Sequence, residues 1–269
     1  MEIVGYIASA LIGISLGLIG GGGSILTVPM LVYLFGLQPM MATSYSLFIV
    51  GSTSLVGAVN NWRKGYISLG TAIMFGITSM LTVYATRKFL LPLIPKEILH
   101  IGNFVITEPM LTMVLFALLM LAASLSMIRG PEKERPTANH ILEKRFPQLI
   151  LLGIAIGLIT GFLGAGGGFL LIPALVLIVR LPMKIAIGTS LLIIALNNLV
   201  GFSGDIGHFD IHWDMLLSIT AIAIAGVIVG GILSKQLSGD KLKKAFGWFV
   251  LLMGLFILIK EIFLKNEFH

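Results

Sequence analysis

The chain has 269 residues, of which 57% are apolar and 11% charged, with a mean hydropathy of +1.03 and a net charge of +6. A soluble domain needs about 25% charged residues to solvate its surface, so lipid must cover most of this one. The basic residues lie between apolar runs, where they read as topology determinants and headgroup contacts and not as a nucleic-acid face, and the absence of cysteine excludes disulfides, thiolate catalysis and cysteine-ligated metal.

Apolar runs are expected over 3–35, 41–59, 67–91, 107–128, 148–180, 185–203, 213–235 and 244–264. Most match the ~20 residues that one spanning helix requires. The first apolar stretch has no basic n-region and continues past Ala8-Ser9-Ala10, so it is expected to stay in the mature protein. Runs 3–35 and 148–180 are too long for single spans: at 1.5 Å per residue each would extend roughly 50 Å, against a hydrocarbon core of about 30 Å. Both are interrupted at matching places, the first by Gly20-Gly21-Gly22-Gly23-Ser24 followed by Pro29, the second by Gly164-Ala165-Gly166-Gly167-Gly168 followed by Pro173.

A shift of 144 residues aligns Gly13 with Gly157, Gly17 with Gly161, Gly20 with Gly164 and Pro29 with Pro173. The same register carries Leu37 onto Leu181, Ala42 onto Ala186, Ser46 onto Ser190 and Ile67 onto Ile211, an internal duplication. Basic residues decide how the long runs are used. Treated as single spans, they divide the 18 Lys and Arg nine and nine between the two sides. Treated as hairpins bent at the glycines, they collect thirteen on one side, from Arg63 and Lys64 through the 129–147 segment to Lys244. Five stay opposite: Arg87, Lys88, Lys96, Lys260 and Lys265. The hairpin arrangement is therefore expected, with the N-terminus outside. Residues 1–128 form a first repeat, 129–147 a solvated cytoplasmic connector, and 148–269 a second repeat of opposite orientation. The fold class expected is an all-α polytopic membrane protein of two inverted-topology repeats, each a glycine-broken hairpin plus three spans.

Consecutive glycines disfavour a helix by roughly 1 kcal/mol each relative to alanine. Close helix packing needs only one per turn, as Gly13/Gly17, Gly157/Gly161 and Gly226/Gly230 provide. In lipid, irregular backbone is tolerated where it lines a cavity. Each break should begin a new helix near 24–28 or 168–172, with its proline in the first turn and its free N–H groups directed inward to hold an anion. This makes Gly22, Gly23, Ser24 and Thr27, with Gly166, Gly167 and Gly168, candidate substrate-binding positions, where glycine supplies space and backbone freedom.

On the following helices Ser46, Thr53 and Asn60 share one face, with counterparts Ser190, Asn197 and Gly204, and Thr189 and Asn198 alongside. Interhelical hydrogen bonding competes with substrate binding as their role. Ser46, Thr53, Thr189, Ser190 and Asn197 complete the candidate set. Asp205, His208, Asp210, His212 and Asp214 follow residue 203 and read as an extracellular acidic loop in preference to a metal site. No Asp or Glu is expected inside any apolar run, so a buried carboxylate proton relay is not expected; Asp205 or His208 would be the boundary alternatives. Trp62, Tyr66 and Trp213 read as interface anchors.

The segments GLIGGGGSILTVPML (17–31) with MATSYSL (41–47), and GFLGAGGGFLLIPAL (161–175) with AIGTSLL (186–192), resemble the paired motifs of the sulfite exporter TauE/SafE family. The resemblance covers nearly the whole chain. It departs where Tyr45 stands opposite Thr189. It implies an inner-membrane permease for sulfite, thiosulfate, sulfoacetate or a related anion. The expected function is secondary transport of such an anion in a lipid bilayer, with no cofactor and no metal. A passive channel and an intramembrane enzyme are the alternatives, although no nucleotide loop or HExxH is present.

Overall fold

The structure is a computed structural model that describes residues 2–19, 22–93, 97–101, 104–128, 146–164, 171–172, 174–175, 179, 181–207, 210–233 and 239–261. Helix α1 (Glu2–Ile19) leads through a 3-10 turn (Gly22–Leu26) into the short α2 (Thr27–Tyr33), then α3 (Pro39–Arg63) and α4 (Leu69–Ala85). A π-helical turn (Thr86–Leu90) and a 3-10 turn (Leu91–Leu93) extend α4. A two-stranded antiparallel hairpin, β1 (Glu97–Ile101) and β2 (Phe104–Thr107), precedes α5 (Glu108–Ile128). Then come α6 (Phe146–Leu163), α7 (Met183–Asp205), α8 (Trp213–Leu233) and α9 (Gly239–Ile259). The connector 129–145 lies outside the described residues.

The protein is an all-α polytopic membrane protein with one small β-hairpin. Four stretches are long and apolar enough to cross a bilayer: Pro39–Arg63, Leu69–Leu93, Lys184–Asp205 and Trp213–Leu233. At 1.5 Å per residue the first is about 37 Å long, enough to span with some tilt. Its outside is apolar, as lipid requires. Val4, Ile7 and Leu11 are 56%, 57% and 61% exposed and share one stripe of α1. Its inside holds the hydroxyls: Ser24, Thr43, Ser46, Ser54, Thr71 and Ser79 are buried.

The first long run is a hairpin. Phe35, just past α2, meets Tyr6 near the start of α1, with ring centroids 5.7 Å apart. Ser9 Oγ lies 3.3 Å from Met30 Sδ. The chain therefore returns to its starting end, with the reversal at the glycines.

The 144-residue shift also relates contacts in space. Gly13 abuts the backbone of Ala223, and its counterpart Gly157 abuts the backbone of Ser79, the counterpart of Ala223. Gly17 sits on Val227, and Gly161 sits on Val83 and Thr86. Leu37 N–H donates to Leu31 O at 3.1 Å, as Leu181 N–H donates to Leu175 O at 3.0 Å. In this way α1 runs parallel to α8, and α6 runs parallel to α4. Between the two signature helices the direction differs. Gly51 of α3 faces Asn198 and Leu199 of α7, whereas Gly57 faces Leu191, so α3 and α7 are antiparallel.

A β-carbon at Gly13 or Gly157 would run into backbone, which cannot rotate away. Gly13→Ala and Gly157→Ala should each destabilise the protein by about 1–3 kcal/mol. Gly70 faces open space, so Gly70→Ala should be neutral or stabilising by up to about 1 kcal/mol. Thermal melting of the three variants in detergent checks this ordering.

Candidate binding site

The end of α6 meets the start of α3, which also packs against α2. Gly164 ends α6 with φ +62°, a left-handed backbone that only glycine adopts without strain. A β-carbon there would also strike the backbone of Thr43. Ser46 Oγ donates to Gly164 O at 2.7 Å, so the last carbonyl of α6 is capped by α3. In the first break, Gly22 and Gly23 sit in the 3-10 turn. Pro29 occupies the first turn of α2, as its missing N–H favours. Ser24 and Thr27 are 0% and 1% exposed. Thr27 Oγ1 has no hydrogen-bond partner among the described residues. Gly166, Gly167 and Gly168 lie outside the described residues.

Several candidate side chains also hold the fold. Thr53 Oγ1 bonds back to Ile49 O at 2.7 Å and Val50 O at 3.1 Å, and Ser190 Oγ donates to Ile187 O at 2.9 Å. Thr189 Oγ1 accepts from Ser68 N–H at 2.9 Å, at the N-cap of α4. The equivalent bond in the other half runs from His212 N–H, before α8, to Tyr45 Oη at 2.6 Å. The departure of Tyr45 from Thr189 therefore preserves a contact: both oxygens accept the N–H that opens the next helix. Asn197 and Ser79 are paired, with Nδ2 donating to Oγ at 2.9 Å.

Two buried groups are left without partners at equivalent positions. Ser54 Oγ and both amide atoms of Asn198 are unbonded among the described residues, and both side chains are 0% exposed. The repeat shift carries Ser54 onto Asn198. Asn198 packs on Gly51, where α3 and α7 cross. Ser54 carried no signal in the sequence because a single serine in a transmembrane helix is ordinary.

The charged residues require corrections. Asp205 is not in an exposed loop. It is the last residue of α7, 2% exposed, and it accepts from Arg87 Nη1 at 3.0 Å. Arg87, expected among headgroup contacts, is 1% exposed inside the second span. A carboxylate therefore does lie within a span. Glu261, near the end of the last run, is likewise buried and accepts from Tyr33 Oη at 3.4 Å. His208 lies outside the described residues, and no cluster of three metal-ligating side chains occurs among those described.

The sequence profile of the family described as sulfite exporter TauE/SafE matches residues 6–257. The chain belongs to the TauE/SafE family. Among relatives of this TauE/SafE protein, a "Probable membrane transporter protein" of Xylella fastidiosa (strain Temecula1) is 30% identical over 93% of this chain and 92% of its own length. Bacillus subtilis YdhB, also named a probable membrane transporter protein, is 27% identical, covering 92% and 96%. A relative of the same description from Methanocaldococcus jannaschii is 24% identical, covering 96% and 94%. No solved structure matches. Two signature segments of this TauE/SafE protein meet where Ser46 of 41–47 bonds Gly164 of 161–175. It is a multi-pass membrane protein of a transporter family.

Tyr45→Phe and Thr189→Val should each remove an acceptor from a helix-opening N–H and destabilise by about 1 kcal/mol. A double-mutant cycle on Ser79→Ala and Asn197→Leu should give a coupling of about 0.5–1.5 kcal/mol. Melting in detergent measures both, and a coupling near zero would dissolve the pair.

Proposed function

We propose that this protein is a secondary transporter in the inner membrane that carries a small anion, a sulfur oxyanion or an organosulfonate, bound at mid-depth where α3 and α7 cross. The observation that carries the reading is the pair of unpartnered buried groups, Ser54 and Asn198, at equivalent positions of the two repeats. A buried amide without a hydrogen bond costs about 1–3 kcal/mol, more than a packing residue would justify. A ligand with acceptor oxygens removes that cost. Thr27 Oγ1 is a further unpartnered hydroxyl among the described residues, beside the 3-10 turn that Gly22 and Gly23 open. Gly166, Gly167 and Gly168 are the sequence counterparts of these positions in the second repeat, and Thr53 and Ser46 lie on the same helix as Ser54. Asn197, Thr189 and Ser190 position α7 and the start of α4.

The substrate class rests on the family description, sulfite exporter, and on the chemistry of hydroxyl, amide and backbone N–H donors, which suits a tetrahedral or pyramidal oxyanion. The antiparallel crossing of α3 and α7 supports the inverted arrangement of repeats 1–128 and 148–269 about the connector 129–147.

Isothermal titration of the purified protein with sulfite, thiosulfate and sulfoacetate should find binding by at least one of them. Asn198→Ala should weaken it by about 1.5–3 kcal/mol, since the acceptor is charged. Accumulation against a gradient in proteoliposomes separates a coupled carrier from a channel. Unchanged affinity in Gly23→Ala and Gly167→Ala together would remove the turns from the site. Cysteines placed at Gly36 and Gly207 should label from the same side of the membrane; labelling from opposite sides would sink the inverted arrangement.

A further inference from the structure

The seam between α4 and α7 carries polar contacts along its length, the last two of them at the same offset of 118 residues. Ser68 N–H meets Thr189 at one end, Ser79 pairs with Asn197 in the middle, and Arg87 pairs with Asp205 at the other end. The last two rungs are eight residues apart on both helices, about 12 Å along the axis. Only the Arg87 end is charged. The repeat shift places Gly231 at the position of Arg87 and Asn61 at that of Asp205. Asn61 spends its amide on Gly57 O at 2.9 Å. The ion pair therefore belongs to one face of the membrane and is not required by the duplicated architecture.

Arg87 is incompletely satisfied. Nη1 donates to Asp205 at 3.0 Å, but Nε and Nη2 have no partner among the described residues, and the side chain is 0% exposed. A guanidinium has five donors. The Nε–Nη2 edge is the one that presents two parallel N–H groups to a carboxylate, sulfonate or similar oxyanion. Leaving it empty in a span is costly, and ionisable groups in spans cluster at substrate pathways. The backbone beneath it is the π-helical turn Thr86–Leu90, a rare geometry that concentrates at functional positions. Gly204 leaves room over the Arg87 β-carbon, 3.3 Å from where a side chain would begin.

We infer that the Nε–Nη2 edge of Arg87 is an oxyanion-binding subsite at the end of the α4/α7 seam nearest Gly36 and Gly207. Asp205 holds Nη1 and so aims the free edge. The subsite takes the same substrate class as the crossing of α3 and α7 and sits two helical turns from the Ser79–Asn197 rung, a second station on the path. This inference rests on the anion-transport reading above.

The test is sulfite and thiosulfate titration of wild type, Arg87→Lys and the exchanged pair Arg87→Asp/Asp205→Arg, using variants that elute and melt as wild type does. Arg87→Lys keeps the charge and loses the paired edge, so the dissociation constant should rise about 10- to 100-fold. The exchanged pair should recover the melting temperature lost in Arg87→Asp alone without recovering affinity, because the ion pair is rebuilt with its free edge facing another way. Wild-type affinity in Arg87→Lys, or affinity restored along with stability in the exchanged pair, would show a structural ion pair and overturn the subsite alone. A folded wild type that binds neither anion would overturn the subsite together with the transport reading.

Discussion

In hydrocarbon, a polar group that loses its partner has no water to replace it, so each one must be paired within the protein or reserved for a ligand. The arrangement of α3, α4 and α7 follows from that constraint. Hydroxyls on these helices bond back to their own turns, as Thr53 and Ser190 do, or reach across to cap a neighbour, as Ser46 does for Gly164. Thr189 and Tyr45 close the openings of α4 and α8. Once these pairs are made, the buried groups left without a partner among the described residues are Ser54, Asn198, Thr27 and the Arg87 edge, together with the hydroxyls of Ser15 and Thr160. Ser54 and Asn198 lie on α3 and α7 at matching positions of the duplication, and Thr27 opens α2.

Duplication gives the framework, and its departures give direction. Contacts that build the framework occur twice: glycine against backbone for α1 on α8 and α6 on α4, and an N–H accepted by residue 45 or 189. Contacts that occur once are Ser79 with Asn197 and Arg87 with Asp205. A symmetric carrier would present the same surface to both sides. A charged pair on one face alone makes the two ends of the pathway electrostatically different, without any change in the helices that form it.

Much of this architecture was legible because repetition and glycine placement are properties of the chain itself. The alignment of Gly13 with Gly157, and of Gly17 with Gly161, reappears as matched helix contacts, and the need to fit a run of more than 30 residues into a bilayer foretold the hairpin of the first run. The burial of Arg87 and Asp205 was not legible, since both stand near the ends of apolar runs, where a charge ordinarily reaches the headgroups. Their pairing depends on α4 and α7 running parallel in one register, which no local pattern encodes. The same is true of the bond from Ser68 N–H to Thr189, which depends on where α4 begins against α7. The β-hairpin at 97–107 was hidden because its partner strands are five and four residues long and carry no alternating face.

The packing also indicates which parts can move as units. Where glycine lets one backbone rest directly on another, as Gly13 and Gly17 do on α8 and Gly157 and Gly161 do on α4, sliding would drive backbone atoms together, and each pair behaves as one stiff body. Each such body joins a helix of one repeat to a helix of the other. Between the bodies, α3 and α7 meet through side chains: Gly51 against Leu199, and Gly57 against Leu191. Side chains can change rotamer at a cost of order 1 kcal/mol, whereas a backbone contact cannot adjust. Access that alternates between the two faces, which the transport reading requires, is therefore accommodated most cheaply at the α3/α7 crossing, the place where Ser54 and Asn198 stand unpaired. A ligand bound there would be held by both helices at once, so its arrival and departure would be coupled to an interface that side-chain rotation can rearrange.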